Sequence, residues 1–238
     1  MTNLFDDKTM YLLKHDKSGR VNSSVRQSRH YRQLDGFHNI NLMSGMEFTA
    51  QNQFPILAPY NGPHDWEVIT FSRRKQQKGP GYAVHGFEND YQLCPFWTKL
   101  DSVIFEMRNY EAVFTPDFSL YVDMPDPVNR WATYVTRFVG AYMQLNGYNV
   151  IPTVSWGNAT SLNYSLDGLP QHSILGVCGT GINHCSAAMR LWKYGMRRAE
   201  EELHPTLFIV YGDPVEIPEV TTEIQYIQPQ ITKFHRQK

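Results

Sequence analysis

The sequence predicts an α/β protein of parallel β-α repeats, and three observations carry that reading. Residues 96–212 alternate apolar helical stripes with short strand-like runs in the order α-β-α-β-loop-β-α-β. Strands joined through helices run parallel, with right-handed crossovers. The later strand-like runs are apolar throughout, so they require cover on both faces. A doubly wound sheet or a (β/α) barrel, complete or incomplete, satisfies the pattern. Four strands here plus two or three earlier elements approach a barrel count, so a barrel-like arrangement is favoured.

Residues 1–35 hold seven Lys/Arg (Lys8, Lys14, Lys17, Arg20, Arg26, Arg29, Arg32) against four Asp, without periodicity beyond a short Met10–Leu13 patch. We read residues 1–50 as an irregular, loosely structured basic arm, 51–213 as a single α/β domain and 214–238 as an extended tail. Within the domain, Trp66–Phe71 and Tyr82–Phe87 are rich in strand formers. They read as a hairpin pair joined by the basic loop Ser72–Gly81. After Cys94-Pro95, apolar residues at 97, 100, 103, 104 and 107 have helical spacing. Glu111–Phe114 is a short strand.

The next helix is the clearest. Asp126 suits an N-cap and Pro127 the first turn. Val128, Trp131, Ala132, Val135, Phe138, Val139, Tyr142 and Leu145 form an apolar stripe opposite Arg130, Thr133, Arg137 and Gln144. Asn149–Trp156 reads as a strand in which Pro152 forces a bulge or an edge. Ser173–Cys178 is a further strand, broken by Gly179-Thr180-Gly181. A long helix follows, with Cys185, Ala188, Met189, Trp192, Met196, Ala199 and Leu203 on one stripe. Thr206–Tyr211 is the last strand.

Composition excludes several classes. The chain has 238 residues and a net charge of −1, with 42% hydrophobic and 19% charged residues. That is too apolar for disorder and too poor in charge for a long coiled coil. Three cysteines build no disulfide framework. No apolar run reaches about 18 residues, and the N-terminus has no signal-peptide pattern. No membrane partner is expected, the expected setting is cytoplasmic, and Cys94, Cys178 and Cys185 read as thiols.

Parallel α/β folds place their sites outside the C-terminal strand ends. That rule selects Asp117, Ser119 and Tyr121, then Trp156, then Gly179, Thr180 and Gly181, then Tyr211, with His85 and Asp90 from the upstream strand. Asp117 is the leading candidate for general base or metal ligand, with Asp123 nearby. Its structural alternative is an Asx-turn. Ser119, Tyr121 and Asp123 join it as catalytic candidates, and the others are candidate ligand contacts. Arg130 and Arg137, two turns apart, can reach a phosphate or carboxylate. The Gly176–Gly181 turn can offer backbone N–H groups to a phosphate, although it matches neither dinucleotide nor Walker spacing. His172, Cys178, His184 and Cys185 lack zinc-site spacing, so no metal site is expected, and no cofactor is indicated.

Val113-Phe114-Thr115-Pro116-Asp117-Phe118-Ser119-Leu120-Tyr121-Val122-Asp123-Met124-Pro125 resembles the signature of domain of unknown function family 4417. The similarity continues through Arg137, Gly140, Tyr142 and Gln144 to Gly147–Gly157, the Leu166–Pro170 turn and Val210-Tyr211-Gly212. His85, Phe87 and Asp90 resemble its upstream segment. The resemblance implies a phage, bacterial or mobile-element source and transfers no catalytic residue. Residues shared by the signature and the strand ends (Asp117, Ser119, Tyr121, Trp156, Tyr211) are expected to line one pocket. The leading functional expectation is a phosphate-containing ligand, a nucleotide or nucleic acid, bound or processed there. A carbohydrate-active or small-molecule barrel enzyme using Asp117 and Asp167, and an accessory that binds a host protein, are the alternatives. Oligomeric state is not legible.

Overall fold

The computed structural model describes residues 38–76 and 79–228, apart from the His184 side chain. Residues 1–37 of the basic arm and two residues of the basic loop, Gln77 and Lys78, lie outside them. The chain divides into Met1–Ser44, whose described part holds a 3-10 turn at Ile40–Leu42, and Gly45–Lys238, which carries the sheets. Among the described residues, no helix is long and apolar enough to cross a membrane.

Two four-stranded sheets are parallel throughout. The first runs in the order β1 (Glu67–Thr70), β2 (Tyr82–His85), β3 (Ala112–Phe114), β4 (Val150–Ile151). The second runs β5 (Thr153–Val154), β6 (Ile174–Cys178), β7 (Leu207–Tyr211), β8 (Ile224–Ile227). One residue, Pro152, separates β4 from β5. It has no N–H for a ladder, but its carbonyl accepts from Gly176 N at 2.8 Å, while Ile151 O accepts from Thr115 N at 3.0 Å. The 150–154 segment therefore pairs with one sheet on each side of its proline, which is the interruption expected there.

Strand order follows chain order with no reversal. A doubly wound sheet reverses at a switch point, so the arrangement is the barrel-like one. It is not a closed barrel: among the described residues, no pairing joins β8 to β1. Side chains alternate accordingly. Ile174, Leu207, Ile209 and Tyr211 join an inner cluster with Phe87, Phe114 and Ile151. Leu175, Val177, Phe208 and Val210 face an outer cluster with Trp192, Met196, Ala199 and Leu203. This two-sided burial explains the uninterrupted apolar runs of β6 and β7.

Four expectations need correction. The strands 66–71 and 82–87 are not a hairpin: β1 and β2 are parallel, with Glu67 opposite Tyr82 and Thr70 opposite His85. A 3-10 helix at Phe71–Gln76 supplies the crossover. After a short α1 (Asp90–Leu93), the helix read over 97–107 is two pieces, α2 (Pro95–Thr98) and α3 (Leu100–Met107). Lys99, at φ −147 and ψ 42, breaks it. The tail contributes β8, whose N-terminal approach is held by Glu200: Oε1 accepts from the backbone and hydroxyl of both Thr221 and Thr222.

The fourth correction concerns α4 (Asp126–Leu145). Val135, Phe138 and Val139 of the apolar stripe are buried as read, but Val128, Trp131 and Leu145 are exposed, and Thr133 and Arg137 of the face read as polar are buried together with Asn129 and Thr136. Asp126 is not the cap but the first helical residue, ion-paired to Arg130 at 2.7 Å. The connection β5–α5 (Leu162–Ser165)–β6 follows, then α6 (Ser186–Leu203) between β6 and β7. Cys185, placed on a buried stripe by periodicity, is exposed at the α6 N-cap, where Sγ accepts from Ala188 N at 3.3 Å.

Candidate functional site

A cleft of about 760 Å³ opens at the C-terminal strand ends, where the parallel topology places sites. The segments following β1, β2, β3, β5 and β6 contribute to it, and β7 contributes its last residue, Tyr211.

Asp117 stands on its wall, three residues past β3. The backbone before it is fixed: Thr136 Oγ1 donates to Pro116 O at 3.1 Å. Gly86 leaves room for the chain, since a Cβ there would sit 3.1 Å from Pro116 Cα. Below, Thr115 Oγ1 accepts from Thr153 N at 2.8 Å and lies 2.7 Å from Thr153 Oγ1, tying β3 to β5. Asp117 Oδ1 is buried and has no hydrogen-bond partner. Burial raises the carboxyl to about 7, Asp90's negative charge adds to this, and a hydrogen bond from Ser155 opposes it. A carboxyl in that state can hold or release a proton near neutrality.

Around it, Cys178 Sγ lies 3.0 Å from Thr180 Oγ1. Burial, followed by Asp117's charge, pushes the Cys178 thiol up to about 11, which removes its nucleophilic form at neutral pH. Trp192 donates Nε1–H to Cys178 O at 2.8 Å and lines the cleft behind it. Trp156 lies against α6 at Gly195, where a Cβ would fall 2.0 Å from Trp156 Cε2. Tyr121 is half-exposed, its backbone clamped by Asn129, which accepts from Tyr121 N at 3.1 Å and donates to Tyr121 O at 2.9 Å. Also lining the cleft, Glu88 accepts from Ser72 N at 2.8 Å and Ser72 Oγ at 2.6 Å, fixing the start of the basic loop.

Six expected residues meet in this cleft: Asp117, Ser119, Tyr121, Trp156, Thr180 and Tyr211. Asp90 stands behind it, with Oδ1 accepting from Ser119 N at 3.1 Å and Ser119 Oγ at 2.9 Å. Tyr211 is buried in a ring cluster with His85 (4.4 Å) and Phe87 (5.4 Å), so its stacking surface is largely used internally. Burial is the main force raising its phenol pKa, with Cys178 and Glu88 adding and Arg73 opposing.

The remaining expected residues lie elsewhere. His85 is buried beneath Tyr211, its Nδ1 accepting from Phe87 N at 3.2 Å, and burial lowers it to about 3, so it is neutral. Asp123 is exposed beyond the cleft walls. Arg130 pairs with Asp126, donates to Asn52 Oδ1 at 2.9 Å and covers the Tyr164 ring. Arg137, only 2% exposed, is a structural tie, donating to the carbonyls of Asp167, Thr153 and Ser165. Burial lowers it to about 9, against the favourable charge of Asp167.

The Gly176–Gly181 phosphate turn is altered too. Gly179 N–H is spent on Tyr211 O at 2.9 Å, and a 3-10 turn at Ile182–His184 separates Gly181 from α6. Asp167 accepts from Thr49 and Asn52 and is not a cleft residue, so the pairing with Asp117 expected of a glycosidase is not assembled. Among the described residues, no group of three or more His, Cys, Asp or Glu is placed to hold a metal ion.

Sequence reasoning missed Glu88, Asn89, Gln92, Ser155 and Trp192 as cleft residues. Cys178 was among the strand-end residues, and Ser155 lay within the Asn149–Trp156 strand. Arg73 lay in the basic loop, but nothing local distinguished it from its neighbours: Arg74 and Lys75 turn away to Glu106, at 2.7 and 3.3 Å.

Comparison with known proteins places these features in a lineage. The chain is 30% identical over 204 residues to the Gene 1 protein of Mycobacterium phage L5, covering 82% of this chain and 89% of that one. It is 30% identical over 169 residues to the Gene 1 protein of Mycobacterium phage D29, covering 69% and 60%. No solved structure matches. The model of the family described as Domain of unknown function (DUF4417) matches residues 47–230, which contain both sheets and the whole cleft. The chain that builds this strand-end cleft around Asp117 is thus a phage-related protein belonging to the DUF4417 family.

Proposed function

We propose that the protein binds a nucleotide, in a cytoplasmic setting, in the cleft at its strand ends. The observation that carries this is the combination of chemistries lining one cleft. Arg73, next to the Glu88-anchored Ser72, lines it together with Trp156 and the half-exposed Tyr121. A guanidinium suits a phosphate and an aromatic face suits a base. The cleft volume falls in the range of small-molecule sites, so the fitting unit is a single nucleotide.

The test is a thermal-shift and calorimetric screen with nucleoside monophosphates. Binding should weaken with salt. It should drop about tenfold in Arg73→Ala, the loss of one charge-assisted contact, and hold in Lys75→Ala, whose ammonium turns to Glu106. No shift with any nucleotide overturns the reading.

A further inference from the structure

The cleft leaves one buried carboxyl oxygen without a partner. Asp117 lines it with a carboxyl whose Oδ1 meets no donor, although buried acceptors in folded proteins are almost always satisfied. Its neighbour Asp90 is already engaged by Ser119, and Glu88 by Ser72. Arg137, the buried cation of this half of the fold, donates to three carbonyls and not to Asp117. The unmet demand is therefore for a donor that arrives with the ligand.

From this geometry, and resting on the nucleotide reading, we infer that the ligand is a guanine nucleotide whose N1–H and N2 amine donate to the Asp117 carboxylate while the base lies by Trp156. Guanine presents two adjacent N–H donors on one edge, which match the two oxygens of a carboxylate. Adenine and cytosine place a ring-nitrogen acceptor beside their amine, and uracil flanks its N–H with two carbonyls, so each sets an acceptor against the carboxylate. Arg73 takes the phosphate end.

The groups that set the charge state of Asp117 are consistent with this role. Asp90, on α1, and burial together favour the proton, and Ser155, after β5, opposes it. Cys178, at the end of β6, is held as a neutral thiol. Tyr211, at the end of β7, is held as a neutral phenol. Glu88 and Arg73 also line the cleft. With an ordinary carboxyl raised to about 7, the anion predominates at pH 8 and a donor pair stabilises it further. Guanine affinity accordingly weakens as the pH falls below 7.

The experiment is calorimetry of the full chain at pH 8 and pH 6 with GMP, IMP and AMP. IMP differs from GMP only by lacking the N2 amine. GMP should bind at least ~10-fold more tightly than IMP or AMP at pH 8, the worth of a hydrogen bond to a charged group. That advantage should shrink at pH 6, and in Asp117→Asn it should fall to within about threefold, because an amide presents a donor where the carboxylate had an acceptor. Equal affinity for GMP and IMP in the unaltered protein, or an unchanged ratio in Asp117→Asn, overturns the guanine assignment while leaving nucleotide binding intact. Failure of all three ligands overturns both.

Discussion

Replacing Asp117 by Asn tests the electrostatics of the cleft without any ligand. The unfolded chain releases this proton near 3.8, and the folded protein holds it to about 7. Between those values the folded state binds the proton more tightly than the unfolded state. This group's contribution to stability therefore falls as pH rises through the window, the reverse of the usual salt-bridged aspartate. Each pH unit is worth ~1.4 kcal/mol, so the interval amounts to ~4 kcal/mol, trimmed to ~2–4 because the residue borders a cleft. Asn has the same shape and no charge. Urea denaturation of both proteins at pH 4.5, 6, 7 and 8 isolates the effect, since other titrating groups cancel in the difference. At pH 4.5 the two should agree within ~1 kcal/mol, the net worth of one altered hydrogen bond. At pH 8 the variant should be more stable by ~2–4 kcal/mol. A stability difference that stays flat with pH, or that favours the variant most in acid, refutes the argument. Asp90→Asn removes the second cause of the raised value and should move the wild-type transition to lower pH.

Three further outcomes follow from particular contacts. Arg137→Ala strands the carbonyls of Asp167, Thr153 and Ser165 in the interior and should cost ~3–5 kcal/mol in urea denaturation; a loss below ~1 kcal/mol would show the tie to be dispensable. Gly195→Ala gains helix propensity but drives a methyl into Trp156, so it should destabilise by ~1–3 kcal/mol and change tryptophan fluorescence; a stabilised variant with unaltered emission would contradict that packing. Burial works against Glu200's ionisation, yet the bonds from Thr222 and Thr221 hold its carboxyl below the usual value. Its contribution is therefore present above the unfolded value of 4.5 and is lost as pH falls through the folded one. The protection of β8 amides, taken relative to their intrinsic exchange rate at each pH, should fall in acid and in Glu200→Ala, and protection insensitive to both would exclude Glu200 as the anchor.

Where the sequence could be read, strand and helix were each identified by a period that burial alone enforces. β6 and β7 are buried on both faces, so their apolar runs named them and their neighbours in the fold. The same logic held only in part on α4. Val135, Phe138 and Val139 of its apolar stripe are buried, yet the stripe's ends at Val128, Trp131 and Leu145 are exposed and the helix also buries Asn129, Thr133, Thr136 and Arg137. A polar side chain is placed inside when the partners waiting there are polar. Here those partners are backbone groups of strand ends and loops: Tyr121 for Asn129, Pro116 for Thr136, and Thr153, Ser165 and Asp167 for Arg137. None of these pairings is local in sequence, so no moment or motif announces them. They also explain how the cleft is held. Asn129 and Thr136 brace the two ends of the loop from Pro116 to Tyr121 that presents Asp117, and Arg137 ties down Thr153, just before the Ser155–Trp156 wall. The buried polar residues that periodicity did not announce are thus the means by which the helix holds the candidate site.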